Sequence, residues 1–164
     1  MKAEITLNLR TQEVYKLFER KISGDRLFIE AILYKMNIVI GRCRRQDPVA
    51  LKMLYEMEQQ LNTLAQEFAA KVKRFEILLS KKKVFKDKQI NFVVQFYPKI
   101  TVSNTLSMKL AELIEIYDRL IAILKLLRLA GCFNTDEIYF SNIKHHQKST
   151  NQVLSKILLY KSNP

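Results

Sequence analysis

Ala3-Glu4-Ile5-Thr6-Leu7-Asn8-Leu9-Arg10-Thr11 opens the chain with strict alternation. Successive side chains of a strand point to opposite faces, so Ala3, Ile5, Leu7 and Leu9 share one side, and Glu4, Thr6 and Asn8 the other. The period predicts a half-buried strand over residues 3 to 9. Thr11 can cap a short helix on which Val14, Leu17, Phe18 and Ile22 share a face, and Gly24 punctuates before Asp25, the expected start of a second helix. That helix buries Phe28, Ile32, Leu33, Met36, Val39 and Ile40. Its expected end is Gly41 and the run Arg42-Cys43-Arg44-Arg45, whose charge suits a helix C-terminus.

Working outward, Asp47-Pro48 starts a third helix, because Asp accepts from free amides and Pro at the first helical position lacks only an amide that would be unpaired anyway. Leu54, Met57, Leu61, Leu64, Phe68, Val72, Phe75 and Leu79 recur every three or four residues, one stripe on a helix of roughly 45 to 50 Å. The absence of repeated flanking charge pairs favours a bundle or dimer-packing helix over an extended coiled coil. Lys81, Lys82, Lys83, Lys86 and Lys88 then form a basic loop. Ile90, Phe92, Val94 and Phe96 alternate with Gln89, Asn91, Val93, Gln95 and Tyr97, which predicts a second strand over residues 89 to 97, ended or held at an edge by Pro98. Ser103 or Asn104 caps a helix that is apolar around most of its girth, with Lys109, Glu112, Glu115, Asp118 and Arg119 as its expected exposed edge and Gly131 as its stop. Asn134 or Thr135 caps a last, basic helix.

At 164 residues, 48% hydrophobic and with 3 Gly and 3 Pro, the chain suits one folded domain. Its expected parts are a strand-helix-helix module (1–45), a section of long helix, basic loop, strand and buried helix (46–133), and a basic C-terminal helix (134–164). The fold class is mainly α with two short strands, an α+β arrangement of a ribbon-helix-helix-like strand and a long-helix bundle. Cys43 and Cys132 lie too far apart in sequence, and too alone, to suggest a disulfide framework or metal knuckle, and a reducing cytoplasm fits them. The N-terminus lacks the basic and apolar regions of a signal peptide, and the apolar stretch from Leu120 to Ala130 is broken by Lys125 and Arg128. Neither secretion nor membrane insertion is expected.

Catalytic chemistry is not expected. His145 and His146 are adjacent, so on a helix they point about 100° apart and read as solvated residues, not as a metal clamp. Glu112, Glu115 and Asp118 read as a polar face. Cys43 between arginines suggests a lowered thiol pKa but no partner for it. No phosphate-binding glycine loop, nucleophile elbow or zinc spacing occurs, and neither metal nor cofactor is anticipated.

Charge is the stronger signal. The net charge is +12, and residues 71 to 99 hold nine basic and two acidic residues, a balance of +7. Such concentration favours a polyanion. A two-stranded ribbon fits the DNA major groove, where Asn and Gln pair with adenine and Arg with guanine. The candidate DNA-binding residues are accordingly Lys2, Thr6, Asn8, Arg10, Arg42, Arg44, Arg45, Lys81, Lys82, Lys83, Lys86, Lys88, Gln89, Asn91 and Gln95. Free amides after Thr11 could also meet a phosphate. The ribbon could form between residues 3–10 of two subunits, or within one chain against 89–97.

Ile5-Thr6-Leu7-Asn8-Leu9-Arg10-Thr11, Asp47-Pro48 with Ala50, Phe96-Tyr97-Pro98, Tyr117-Asp118-Arg119-Leu120 and Leu129-Ala130-Gly131 together resemble the AcaB-like family encoded by conjugative plasmids and integrating conjugative elements. The resemblance implies a ribbon-helix-helix-related DNA-binding regulator of conjugative-transfer genes. The expected partners are duplex DNA and a second copy in a homodimer. The alternative is a non-catalytic helical adaptor or assembly factor of a transfer or secretion apparatus, holding protein partners through the 48–79 and 106–129 stripes while its charge meets an acidic protein or anionic lipid.

Overall fold

The computed structural model describes residues 1–160; residues 161–164, the end of the expected basic C-terminal segment, lie outside them. The order is β1 (Ala3–Thr6), α1 (Gln12–Glu19), α2 (Phe28–Arg44), α3 (Pro48–Ser80), β2 (Lys99–Val102), α4 (Thr105–Leu129) and α5 (Asp136–Leu158), with one 3-10 turn at Lys83–Phe85. Among the described residues, five α-helices and a two-stranded antiparallel sheet make this a mainly helical α+β fold. No helix among the described residues is long and apolar enough to cross a membrane.

The core forms around α4, which buries residues on all sides, including Leu106, Leu110, Ile114, Tyr117, Leu120 and Leu124. Its most extensive neighbour is α3. Asn62 meets Lys109, Phe68 meets Tyr117 and Glu76 meets Arg119, so the two helices run parallel. The chain between them must therefore travel back along their length. Helix α5 runs the other way, since Tyr160 bonds Glu56 while His146 meets Phe68 and Lys71. The 48–79 and 106–129 stripes are largely consumed in this core, with Met57, Leu61, Phe68 and Val72 buried on α3. Neither is the free partner surface that the adaptor alternative requires.

The caps follow local chemistry. Asp47 Oδ1 accepts from Val49 and Ala50 amides at 3.0 and 3.4 Å, and Arg42 pairs with Oδ2 at 2.6 Å, holding the Asp47 carboxyl below its usual range. Asn104 and Ser107 form a reciprocal capping box, Thr135 accepts from Ile138, and Gly131 ends α4 at φ +74°, a conformation L side chains disfavour. One expected boundary moves. Helix α2 begins at Phe28, not Asp25, because residues 21–27 form a tight loop closed by a Lys21–Leu27 bridge, with Gly24 at φ +63°. It ends within the expected basic run, at Arg44, and Gln46 at φ +59° makes the turn.

The largest correction concerns the second strand. Residues 86–95 are irregular and mostly exposed, with Val93 fully so, whereas the strand lies after Pro98. β1 pairs with it in the register Ala3↔Val102 to Thr6↔Lys99, within one chain. Pairing continues to Leu9 and Phe96, which exchange two 2.8 Å hydrogen bonds. Leu7 N donates to Pro98 O at 2.8 Å, but Pro98 has no N–H to return. That gap interrupts the ladder. The alternation read in residues 3–9 nevertheless holds, since Leu7 and Leu9 are buried together with Ile100 and Val102.

Candidate nucleic-acid interface

Asp118 anchors the ribbon to the bundle. Its buried carboxylate on α4 accepts from Arg10 N at 3.0 Å, from Thr11 N at 3.0 Å and from Thr11 Oγ1 at 2.7 Å. Two expectations change. Asp118 is 4% exposed and not part of a solvated edge, and the Thr11 hydroxyl expected to cap α1 instead donates to its carboxylate. Burial pushes the Asp118 carboxyl above its ordinary range, against the opposing pull of these donors. Beside it, Lys125 Nζ pairs with Glu13 at 2.7 Å and ties α1 to α4.

The register puts Glu4, Thr6 and Asn8 opposite Thr101, Lys99 and Tyr97, all six on the outer face of the ribbon and all exposed. Thr6 and Asn8 occupy the face read from sequence. Lys99 and Thr101 were missed, since only the position of the partner strand reveals them, and Tyr97 was read on the mostly polar face of the expected strand but not among the candidate residues. Tyr97 Oη donates to Gln95, which places Gln95 at the foot of the ribbon. Gln89 and Asn91 lie in the irregular segment, outside any strand. Between β1 and α4 runs a groove of about 510 Å³ lined by Thr6, Asn8 and Arg10 on one wall, and Glu112, Glu115 and Arg119 on the other. Its two glutamates oppose phosphate entry. An anion would meet the crest of the ribbon, where Lys99 pairs at 3.4 Å with Glu4 in an exposed, weak bridge.

The basic loop lies near this surface. Lys82, Lys83 and Lys86 line a second groove with Glu76, and Glu76 bonds Arg119 of the first. Lys81 and Lys88 are exposed on the same segment. Lys2 precedes the other end of β1. Arg44 and Arg45 are exposed, and Arg42 is bound to Asp47, all at the start of α3, whereas Lys81 follows its end. The 33 residues between span about 50 Å, so the two basic runs read as one set from sequence are held far apart.

Two single residues also differ from expectation. His146 is buried, not solvated: Nδ1 meets the Asn142 carbonyl at 2.7 Å and Nε2 meets Lys71 Nζ at 3.1 Å. Nδ1 must carry the proton and Nε2 accept from the ammonium. Burial above all, with the Lys71 charge adding to it, lowers the imidazole to about 4. Burial and Asp47 push the Cys43 thiol up, outweighing Arg42, so the expected low-pKa thiol is absent. Among the described residues no group of three or more His, Cys, Asp or Glu side chains could hold a metal.

No protein-family model matches the chain, and no curated protein is significantly similar to it. The fold is similar to that of selenomethionine-containing AcaB from uropathogenic E. coli, with a TM-score of 0.66 at 13% identity, over 96% of this chain and 77% of that one.

Proposed function

We propose that the protein is a duplex-DNA-binding regulator of conjugative-transfer genes that acts as a homodimer, with the ribbon crest reading bases and the basic loop holding phosphates. The observation that carries the reading is the exposed ribbon face of Thr6, Asn8, Tyr97, Lys99 and Thr101 beside the groove lined by Lys82, Lys83 and Lys86. The AcaB-like fold, the family resemblance in sequence and the +12 charge support it. On this reading Asn8 pairs with an adenine edge, Lys99 with guanine, and the threonine methyl groups meet thymine. Each ribbon is complete within one subunit, so a dimer would present two ribbons to two half-sites.

Asn8→Ala and Lys99→Ala should each cost about 1 to 3 kcal/mol at one cognate base pair and relax preference there. Competition titrations with single-base-pair variants of a preferred duplex measure this. Equal loss on every duplex would reduce both residues to phosphate contacts, and no loss would remove the ribbon from the interface.

A further inference from the structure

We infer that the groove between the end of α1 and the outer face of α5 is a second duplex-contacting surface, in which Arg20, Lys144 and Lys148 hold phosphates while Gln147 and Asn151 face base edges. The inference rests on the DNA-binding reading above. Lys144, Gln147, Lys148, Asn151 and Ser155 recur at helical spacing along α5 and, with Arg20, line a groove of about 660 Å³. Every one of these side chains can form hydrogen bonds, and neither an acidic nor an apolar residue lines the groove. The ribbon groove, by contrast, sets Glu112 and Glu115 against Arg10 and Arg119.

Packing does not account for the stripe. The face of α5 that joins the core carries Tyr139, Ile143, His146, Thr150, Leu154 and Ile157. The only acids of α5, Asp136 and Glu137, sit in its first turn, away from the groove. Arg20 is held in place, with its guanidinium 4.0 Å from the Phe28 ring centroid and Nη1 3.4 Å from Asn151 Oδ1. From Lys144 to Ser155 the stripe runs about 16 Å, or roughly five base pairs, and a helix fits the major groove.

The test uses the full chain with Lys144→Gln and Lys148→Gln together, and Lys144→Arg with Lys148→Arg as the charge-preserving control. Fluorescence anisotropy against a random duplex across a salt series gives the slope of log affinity on log salt. The glutamine pair should flatten that slope by about 1.8, at 0.9 per phosphate contact, and the arginine pair should preserve it. Gln147→Ala should reduce preference for a cognate duplex over a random one. A glutamine pair indistinguishable from the unsubstituted protein, while Lys82→Gln with Lys83→Gln flattens the slope, would overturn the α5 surface and leave DNA binding standing. Failure of the unsubstituted protein to bind any duplex would overturn both.

Discussion

Replacing Asp118 with Ala removes the one acceptor shared by the Arg10 amide, the Thr11 amide and the Thr11 hydroxyl. Thr11 is 1% exposed, so water cannot readily replace the carboxylate there. Each buried donor left unpaired costs about 1 to 3 kcal/mol. Part of that is returned, because the substitution also removes a desolvated carboxylate whose pKa burial has raised. The balance lies near the low end, about 3 kcal/mol. For a chain of this size that lowers the thermal midpoint by about 6 to 12 °C. Asp118→Asn keeps one carbonyl acceptor but turns an amide N–H2 toward a former donor, so it should cost roughly 1 to 2 kcal/mol. Thr11→Ala loses a single bond, at about 1 kcal/mol. Urea denaturation of the three variants, with amide exchange at Arg10 and Thr11, measures the series. An Asp118→Ala protein within about 0.5 kcal/mol of the unsubstituted one, with both amides still protected, would refute the anchoring role.

Three further outcomes are expected. His146 is neutral in the fold and lowered to about 4, so acidification from about pH 6.5 to pH 4 favours the unfolded chain. The loss should be about 2 kcal/mol after allowing for solvent screening, and it should vanish from the pH dependence of His146→Leu in denaturant titrations; identical pH dependence of the two proteins would exclude it. Gly131→Ala should cost about 1 kcal/mol and Gln46→Gly should gain up to about the same, because both positions have positive φ; melting midpoints that move the same way would contradict this. Lys81→Ala with Lys82→Ala and Lys83→Ala should weaken binding to all duplexes together and flatten the salt slope by about 0.9 per contact. An unchanged slope would remove the loop from the interface.

Much of the architecture was legible because it rests on local chemistry. The Asp47-Pro48 start, the α3 stripe, the girdling apolarity of α4 and the Gly131 stop each follow from capping, period or backbone freedom, and the structure has all four. What escaped depends on distant partners. Ile90 to Val94 alternate as well as Ile100 to Val102 do, but only the later segment is opposed by β1, and pairing decides between them. Asp118 looks like any helix-edge carboxylate until α1 is docked beside it. His146 looks like its neighbour His145 until α5 turns one of them toward Phe68. The candidate site divides in the same way. Thr6 and Asn8 were legible from period two, while Lys99 and Thr101 needed the register. The arginines before α3 and the lysines after it were grouped as one set of candidates, although the α3 stripe read in the sequence already implied the length that separates them.

Fluorescence anisotropy of the purified chain against random duplexes and promoter duplexes of the proposed conjugative-transfer targets, across a salt series and with the solution mass determined alongside, is the most direct test of DNA reading. The predicted result is a dimer that prefers one promoter duplex by ~10³-fold or more, with affinity falling steeply as salt rises. Weak binding that is equal on all duplexes and erased by salt would contradict it.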